Sequence, residues 1–281
     1  MIRFSLILAL YFYFVNLPVI CSAEGRPDER DLIMDAALDN KKWEISESFH
    51  YERSKGELTN AGVEINVYEV DTTIKRCFEK GSLALTIPYI YQKSDVRITR
   101  SLLRAGQVVR ISRENQRSKE GLGDFTLDGA YFLLTEDEKF PVDILLYGYV
   151  KFPSVDADHS FGTREYDAGP GLGLSKRLFE KWQFFSDVYY TFIGDAPEQD
   201  LRNEFRFDGG LSYDVTSKIA LSVTYEQSNA LLKQKKSDYQ DILATINYSL
   251  NDSVSFFAEK IFELNNDYLE ESLIGGVTAR F

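Results

Sequence analysis

The sequence predicts an all-β chain: a transmembrane antiparallel up-and-down β-barrel of about 12 strands, with short periplasmic turns and longer outer loops. Three observations predict it. From Trp43 to Phe281, segment after segment alternates apolar and polar residues, which is the period of a strand with two unlike faces. The connections between segments are short and long by turns, the asymmetry expected when one rim faces the periplasm and the other the outside. Aromatic residues make up 14% of the chain, with 17 Tyr and 20 Phe. That load suits a barrel with aromatic girdles at two lipid–water interfaces.

The chain starts with Met1-Ile2-Arg3, an apolar run from Phe4 to Ile20, and the small-residue exit Cys21-Ser22-Ala23. Residues 1–23 therefore read as a secretory signal peptide. Residues 24–42 are mostly polar and charged, with one short apolar patch at Leu32, Ile33, Ala36 and Leu38, and read as a periplasmic leader or a small plug. Residues 43–281 form the barrel. Beyond residue 23 no run of eighteen apolar residues occurs, so no transmembrane helix is predicted. A secreted chain can then cross a membrane only as a closed barrel, because every backbone N–H and C=O in hydrocarbon needs a partner within the protein.

In the first segment Trp43, Ile45, Phe49 and Tyr51 alternate with polar neighbours. Val63, Ile65 and Val67 open the second, whose pattern slips near Tyr68-Glu69-Val70 and suggests a β-bulge. Leu83 to Tyr91 makes the third, Phe125 to Leu133 the fourth and Val142 to Val150 the fifth. Leu172 and Leu174 mark the sixth, Trp182 to Phe192 the seventh, and Phe205 to Tyr213 the eighth. Ile219 to Tyr225, Ile242 to Tyr248 and Val254 to Ala258 are the next three, and Leu273 to Phe281 is the twelfth. Connections after even-numbered segments are short, such as Phe179 to Lys181 and Val215 to Lys218. Those after odd-numbered segments are longer, such as Gln92 to Glu120 and Lys151 to Tyr166. An even count puts both ends of the barrel on the short-turn rim.

The closing segment has an apolar or small row at Leu273, Gly275, Val277, Ala279 and Phe281, with Arg280, Thr278 and Gly276 between them. It resembles the C-terminal signal of bacterial outer-membrane barrels, which implies recognition by the barrel-assembly machinery. About twelve strands would leave a wide interior that needs water. The polar row is therefore assigned to the lumen and the apolar row to lipid. By parity the lumen-lining candidates are Asp187, Arg206, Asp208, Asp241, Glu259 and Arg280. A one-residue slip would move any of them to the other face.

Little else carries chemistry. The chain holds 44 Asp+Glu against 32 Lys+Arg, a net charge of −12, so no nucleic-acid partner is expected. With residues 1–23 removed, Cys77 is the single cysteine left, so neither a disulfide nor a metal cluster is predicted. No cofactor is predicted. The two histidines, His50 and His159, give no sign of a base held and oriented beside a nucleophile, so no catalytic residue is assigned. Gly169 to Lys176 lacks the spacing of a phosphate loop.

The stretch Lys93 to Lys119 departs from this acidic background. Lys93, Arg97, Arg100, Arg104, Arg110, Arg113, Arg117 and Lys119 stand against Asp95 and Glu114, a balance of +6. Three readings are open. It is a solvated outer loop or an extension of strands three and four above the membrane. It contacts lipopolysaccharide phosphates. Or it folds inward as a basic gate favouring anions.

Short matches run through the mature chain in order: Leu83-Ala84-Leu85-Thr86-Ile87-Pro88-Tyr89, Gly121-Leu122-Gly123-Asp124, Lys151-Phe152-Pro153, Phe161-Gly162-Thr163 and Tyr190-Thr191-Phe192-Ile193-Gly194-Asp195. On these the chain resembles a Gram-negative outer-membrane family labelled transporter or "meta-pathway of phenol degradation". The resemblance implies a channel-like barrel in the outer membrane, among lipid and lipopolysaccharide, passing small solutes that include aromatic compounds. The solute itself is left open. The alternative is a structural or adhesin-like barrel with no open pore.

Overall fold

Alternation on this scale gives each strand one face for lipid and one for water, and the only way to satisfy every strand edge is to close the sheet. The computed structural model does so. It describes residues 43–58, 61–104, 107–136, 140–153, 165–194, 201–229, 238–265 and 269–281; side chains are described for all of these except residues 56–58, 61–62, 96–104, 107–115 and 269–270. Residues 1–42, the expected signal peptide and the expected leader or plug, lie outside the described residues.

The strands are β1 (Trp43–Leu58), β2 (Ala61–Phe78), β3 (Gly81–Arg104), β4 (Gln107–Leu122), β5 (Phe125–Leu134), β6 (Asp143–Phe152) and β7 (Asp167–Phe179). They continue with β8 (Trp182–Thr191), β9 (Glu204–Thr216), β10 (Ile219–Ser228), β11 (Tyr239–Asn251), β12 (Val254–Glu263) and β13 (Leu269–Arg280). Each is antiparallel to its neighbours, and β13 returns to pair with β1 from Glu44↔Arg280 to Lys55↔Leu269. Two reciprocal backbone bonds between Trp43 and Phe281, 3.1 and 3.2 Å, finish the seam.

Thirteen strands make twelve staves. The upper part of β3 pairs with β4, down to Tyr89↔Leu122, and its lower part pairs with β5, from Thr86↔Thr126 to Gly81↔Tyr131. β4 and β5 therefore descend along one neighbour as a single stave, broken at Gly123 and Asp124. Gly123 N–H still bonds to Pro88 O at 3.0 Å, and a Cβ there would meet the Pro88 side chain at 2.8 Å. Only glycine lets the chain pass that close.

The rims follow the predicted asymmetry, with β7–β8, β9–β10 and β11–β12 joined by two-residue turns. Two expectations are corrected. Gln92 to Glu120 is not a loop: it is the tops of β3 and β4, paired as far as Arg104↔Gln107. Nor is there a bulge at Tyr68-Glu69-Val70, since β2 stays in register with both β1 and β3 through these residues. β1 to β4 thus rise together beyond the other staves as a palisade on one side of the barrel.

Burial shows which face is which. Outward residues such as Leu83, Leu127, Leu172, Val223 and Phe256 are exposed, while the buried set is dominated by polar residues such as Thr73, Asp187, Thr224 and Thr278. This inverts a soluble core and matches a lipid-facing belt around a polar interior. One outward position breaks the belt: Glu47, between Ile45 and Phe49, accepts a 3.0 Å hydrogen bond from Thr72 on β2.

Candidate functional site

The inward faces enclose a cavity of about 800 Å³. Its wall is polar because period two delivers every second residue to it. Hydroxyls are tied across staves: Thr73 Oγ1 lies 3.0 Å from Thr86 Oγ1, Tyr149 Oη donates to Thr191 Oγ1 at 2.8 Å, and Thr245 Oγ1 donates to Glu259 Oε2 at 2.7 Å. Such bonds hold side chains against the wall and keep space free.

The charges are mixed. Glu44, Asp128, Glu204, Asp214, Glu226 and Glu259 line the cavity on the acidic side, and Lys75, Arg206, Lys218 and Arg280 on the basic side. Glu44 and Lys75 approach to 3.6 Å and are 4% exposed each. Burial of both makes their mutual attraction less screened than on a surface, and each is held by its need for the other.

Of the six lumen candidates, Arg206, Glu259 and Arg280 line the cavity. Asp187 and Asp208 sit behind it, opposite each other on β8 and β9 and 6% and 1% exposed. Arg206 Nε reaches Asp208 Oδ2 at 3.6 Å. Asp241 shares its strand face with Thr245, one of the lining residues, and pairs across β10 with Glu226. The closing row Leu273, Gly275, Val277 and Ala279 runs along the seam, and Phe281 is 37% exposed. In the basic stretch, Arg97, Arg100, Arg104, Arg110 and Arg113 are placed by backbone pairing alone, and Arg117 is exposed on β4. The backbone follows the strand-extension reading and does not turn into the lumen. His159 lies outside the described residues.

Sequence parity missed the aromatic part of the wall. Tyr147 and Tyr189 face into the cavity with ring centroids 5.6 Å apart, and the Arg206 guanidinium stands 4.6 Å over the Tyr189 ring. The rings fit because Gly171 and Gly173 lie beneath them. A Cβ on Gly173 would come within 2.6 Å of Tyr147 and 2.5 Å of Asp187 Oδ1. Phe132 and Leu145, buried against Ala130 and Tyr147, fill the interior beside the turn that joins β5 to β6. The available signal was a lapse in alternation: Tyr131-Phe132-Leu133-Leu134 and Ile144-Leu145-Leu146 are apolar on both faces.

It also missed a Ser–His contact. His50 Nε2 lies 2.8 Å from Ser272 Oγ, with Asp71 within electrostatic reach of the imidazole. A nucleophile also needs donors aimed at a developing oxyanion. Here Ser272 lies inside a strand paired on both sides, Glu52↔Ser272 and Ile261↔Ser272, so the surrounding backbone N–H groups serve the ladders. Among the described residues no group of three or more His, Cys, Asp or Glu could hold a metal ion.

The model of the family described as "Putative MetA-pathway of phenol degradation" matches residues 82–267. No curated protein matches the chain in sequence. Among solved structures, an outer membrane channel from Pseudomonas putida F1 is 12% identical with a TM-score of 0.60, covering 86% of this chain and 96% of its own. The transport unit of the autotransporter AIDA-I from Escherichia coli is 10% identical with a TM-score of 0.51, covering 92% of this chain and 99% of its own. At these identities the likeness is one of fold.

Proposed function

The chain belongs to that phenol-degradation family, and we propose that it is a bacterial outer-membrane channel for passive passage of small solutes, small aromatic compounds among them. The observation that carries the reading is the inside-out barrel: a closed ring of apolar outward faces around a cavity with a polar, hydroxyl-rich wall. Such a wall replaces a solute's hydration without holding it tightly, as passage requires. The stacked Tyr147, Tyr189 and Arg206 offer a planar solute a surface for transient stacking.

The protein is not an enzyme on this reading. The His50–Ser272 contact ties β1 to β13. Purified, folded barrel in planar bilayers should give stepwise conductance. A folded barrel that passes no current would overturn the channel and favour a structural or adhesin-like barrel that displays its palisade. Tyr147→Ala together with Tyr189→Ala should raise conductance by roughly a factor of two, because pore width and lining set the flux.

A further inference from the structure

Above the row formed by Tyr51, Tyr68 and Tyr91, whose tilted rings lie 5.2 and 5.9 Å apart between centroids, the two faces of the palisade exchange chemistry. Below that row β2 turns Ile74 and Val70 outward and Thr73 and Lys75 inward. Above it, in unbroken register, β2 turns Asn66 and Glu64 outward and Val67, Ile65 and Val63 inward. The outward change follows from water replacing lipid, and the new outer face is ion-paired: Arg53–Glu64 at 2.8 Å and Lys93–Asp95 at 3.1 Å.

Water does not account for the inward change. Val63, Ile65 and Val67 stand half-exposed on the face that continues the lumen wall. On β3 that face carries Ile90, Gln92 and Ser94, in the same parity as the cavity-lining Ala84 and Thr86. Gln92 and Ser94 pair in turn with Lys119 and Arg117 of β4, both exposed. One face therefore carries an apolar strip between Glu52 of β1 and two cations of β4, and leads down past Glu69 and Asp71 into the cavity.

We propose that this inward face of the palisade captures small apolar organic anions before they pass into the lumen. The apolar body lies on Val63, Ile65 and Val67, and the negative group meets Arg117 and Lys119. The occupant is a small molecule because the strip is a few residues wide, whereas a stable protein partner needs about 800 Å² on each side. The negative group lies at the β4 side of this face, where Arg117 and Lys119 stand across Ser94 and Gln92 from the strip, and away from Glu52, which shares the face and pairs with Val67 from β1. The proposal rests on the channel reading above.

The test uses the full-length barrel, checked for folding by heat-modifiable gel mobility, with 2-naphthoate as the probe in equilibrium dialysis and glycerol flux into liposomes as a separate readout. Wild-type barrel should bind 2-naphthoate saturably. Ile65→Asn with Val67→Asn should weaken binding about tenfold or more. Arg117→Gln with Lys119→Gln should weaken 2-naphthoate severalfold and leave the neutral 2-naphthamide unchanged, whereas Lys93→Gln on the outer face should change neither. The proposal is overturned by an absence of saturable binding, by unchanged binding in the Ile65/Val67 variant, or by an equal loss in Lys93→Gln. Glycerol flux without naphthoate binding removes the capture site and keeps the channel. Binding without flux keeps the binding face and removes the channel.

Discussion

The lower barrel and the palisade are built from the same strands, yet their faces follow opposite rules. In β10 Leu221 and Val223 face out and Ser222 and Thr224 face in. In the top of β2 Glu64 and Asn66 face out and Ile65 and Val67 face in. Period two is a property of the extended chain; which parity is apolar is a property of the medium on each side. A change of parity therefore marks a change of medium, here the outer edge of the hydrocarbon at Tyr51, Tyr68 and Tyr91.

Substitutions matched across that edge test the contrast. Val223→Arg, at the middle of the lipid belt, should cost about 2–4 kcal/mol in urea unfolding from lipid vesicles. Asn66→Arg, outward but above the tyrosines, should stay within about 0.5 kcal/mol. Equal costs would mean that the palisade is immersed too. Glu47→Leu should stabilise the barrel by about 1 kcal/mol, since it removes a carboxylate from the lipid face that Thr72 alone partners across the β1–β2 ladder; a loss of stability would show that something other than lipid covers Glu47. The smallest effect concerns pH. The hydrogen bond from Arg53 holds the Glu64 carboxyl below its ordinary value. A lowered folded-state value means that the pair contributes fully above the ordinary carboxylate range and is lost only as pH falls through the lowered one. Titration of Glu64 by carboxyl NMR should show the pair intact at pH 5, and Arg53→Gln should return the titration to the ordinary range.

Most of the architecture was legible in the sequence because a barrel strand exposes both of its environments residue by residue. The closing row from Leu273 to Phe281 and the short turns at Glu180-Lys181 and Ser217-Lys218 required nothing beyond local pattern. The palisade was legible only in part: an extension of strands three and four was one reading of Lys93 to Lys119, and no local pattern chose it over a loop. Inverted parity at Tyr68-Glu69-Val70 imitates an inserted residue, and a charged stretch such as Arg97 to Arg117 imitates a loop, since charge reports water and not backbone conformation. Parity put Arg206, Glu259 and Arg280 on the face that lines the cavity, but it did not reveal the Tyr147–Tyr189–Arg206 stack. Inward aromatics look like outward ones until the glycines beneath them, Gly171 and Gly173, are placed in space.

The pairing of Trp43 with Phe281 also sets an order of events. Successive staves meet through neighbouring hairpins, so each can form as soon as its own residues are available. The β1–β13 ladder joins residues as far apart as Glu44 and Arg280. Closing that span costs roughly 3 kcal/mol more chain entropy than closing a ten-residue hairpin, and contacts of such separation form slowly. The ring should therefore exist first as an open, curling sheet with two bare edges, and become a barrel in one late step at the Trp43–Phe281 junction.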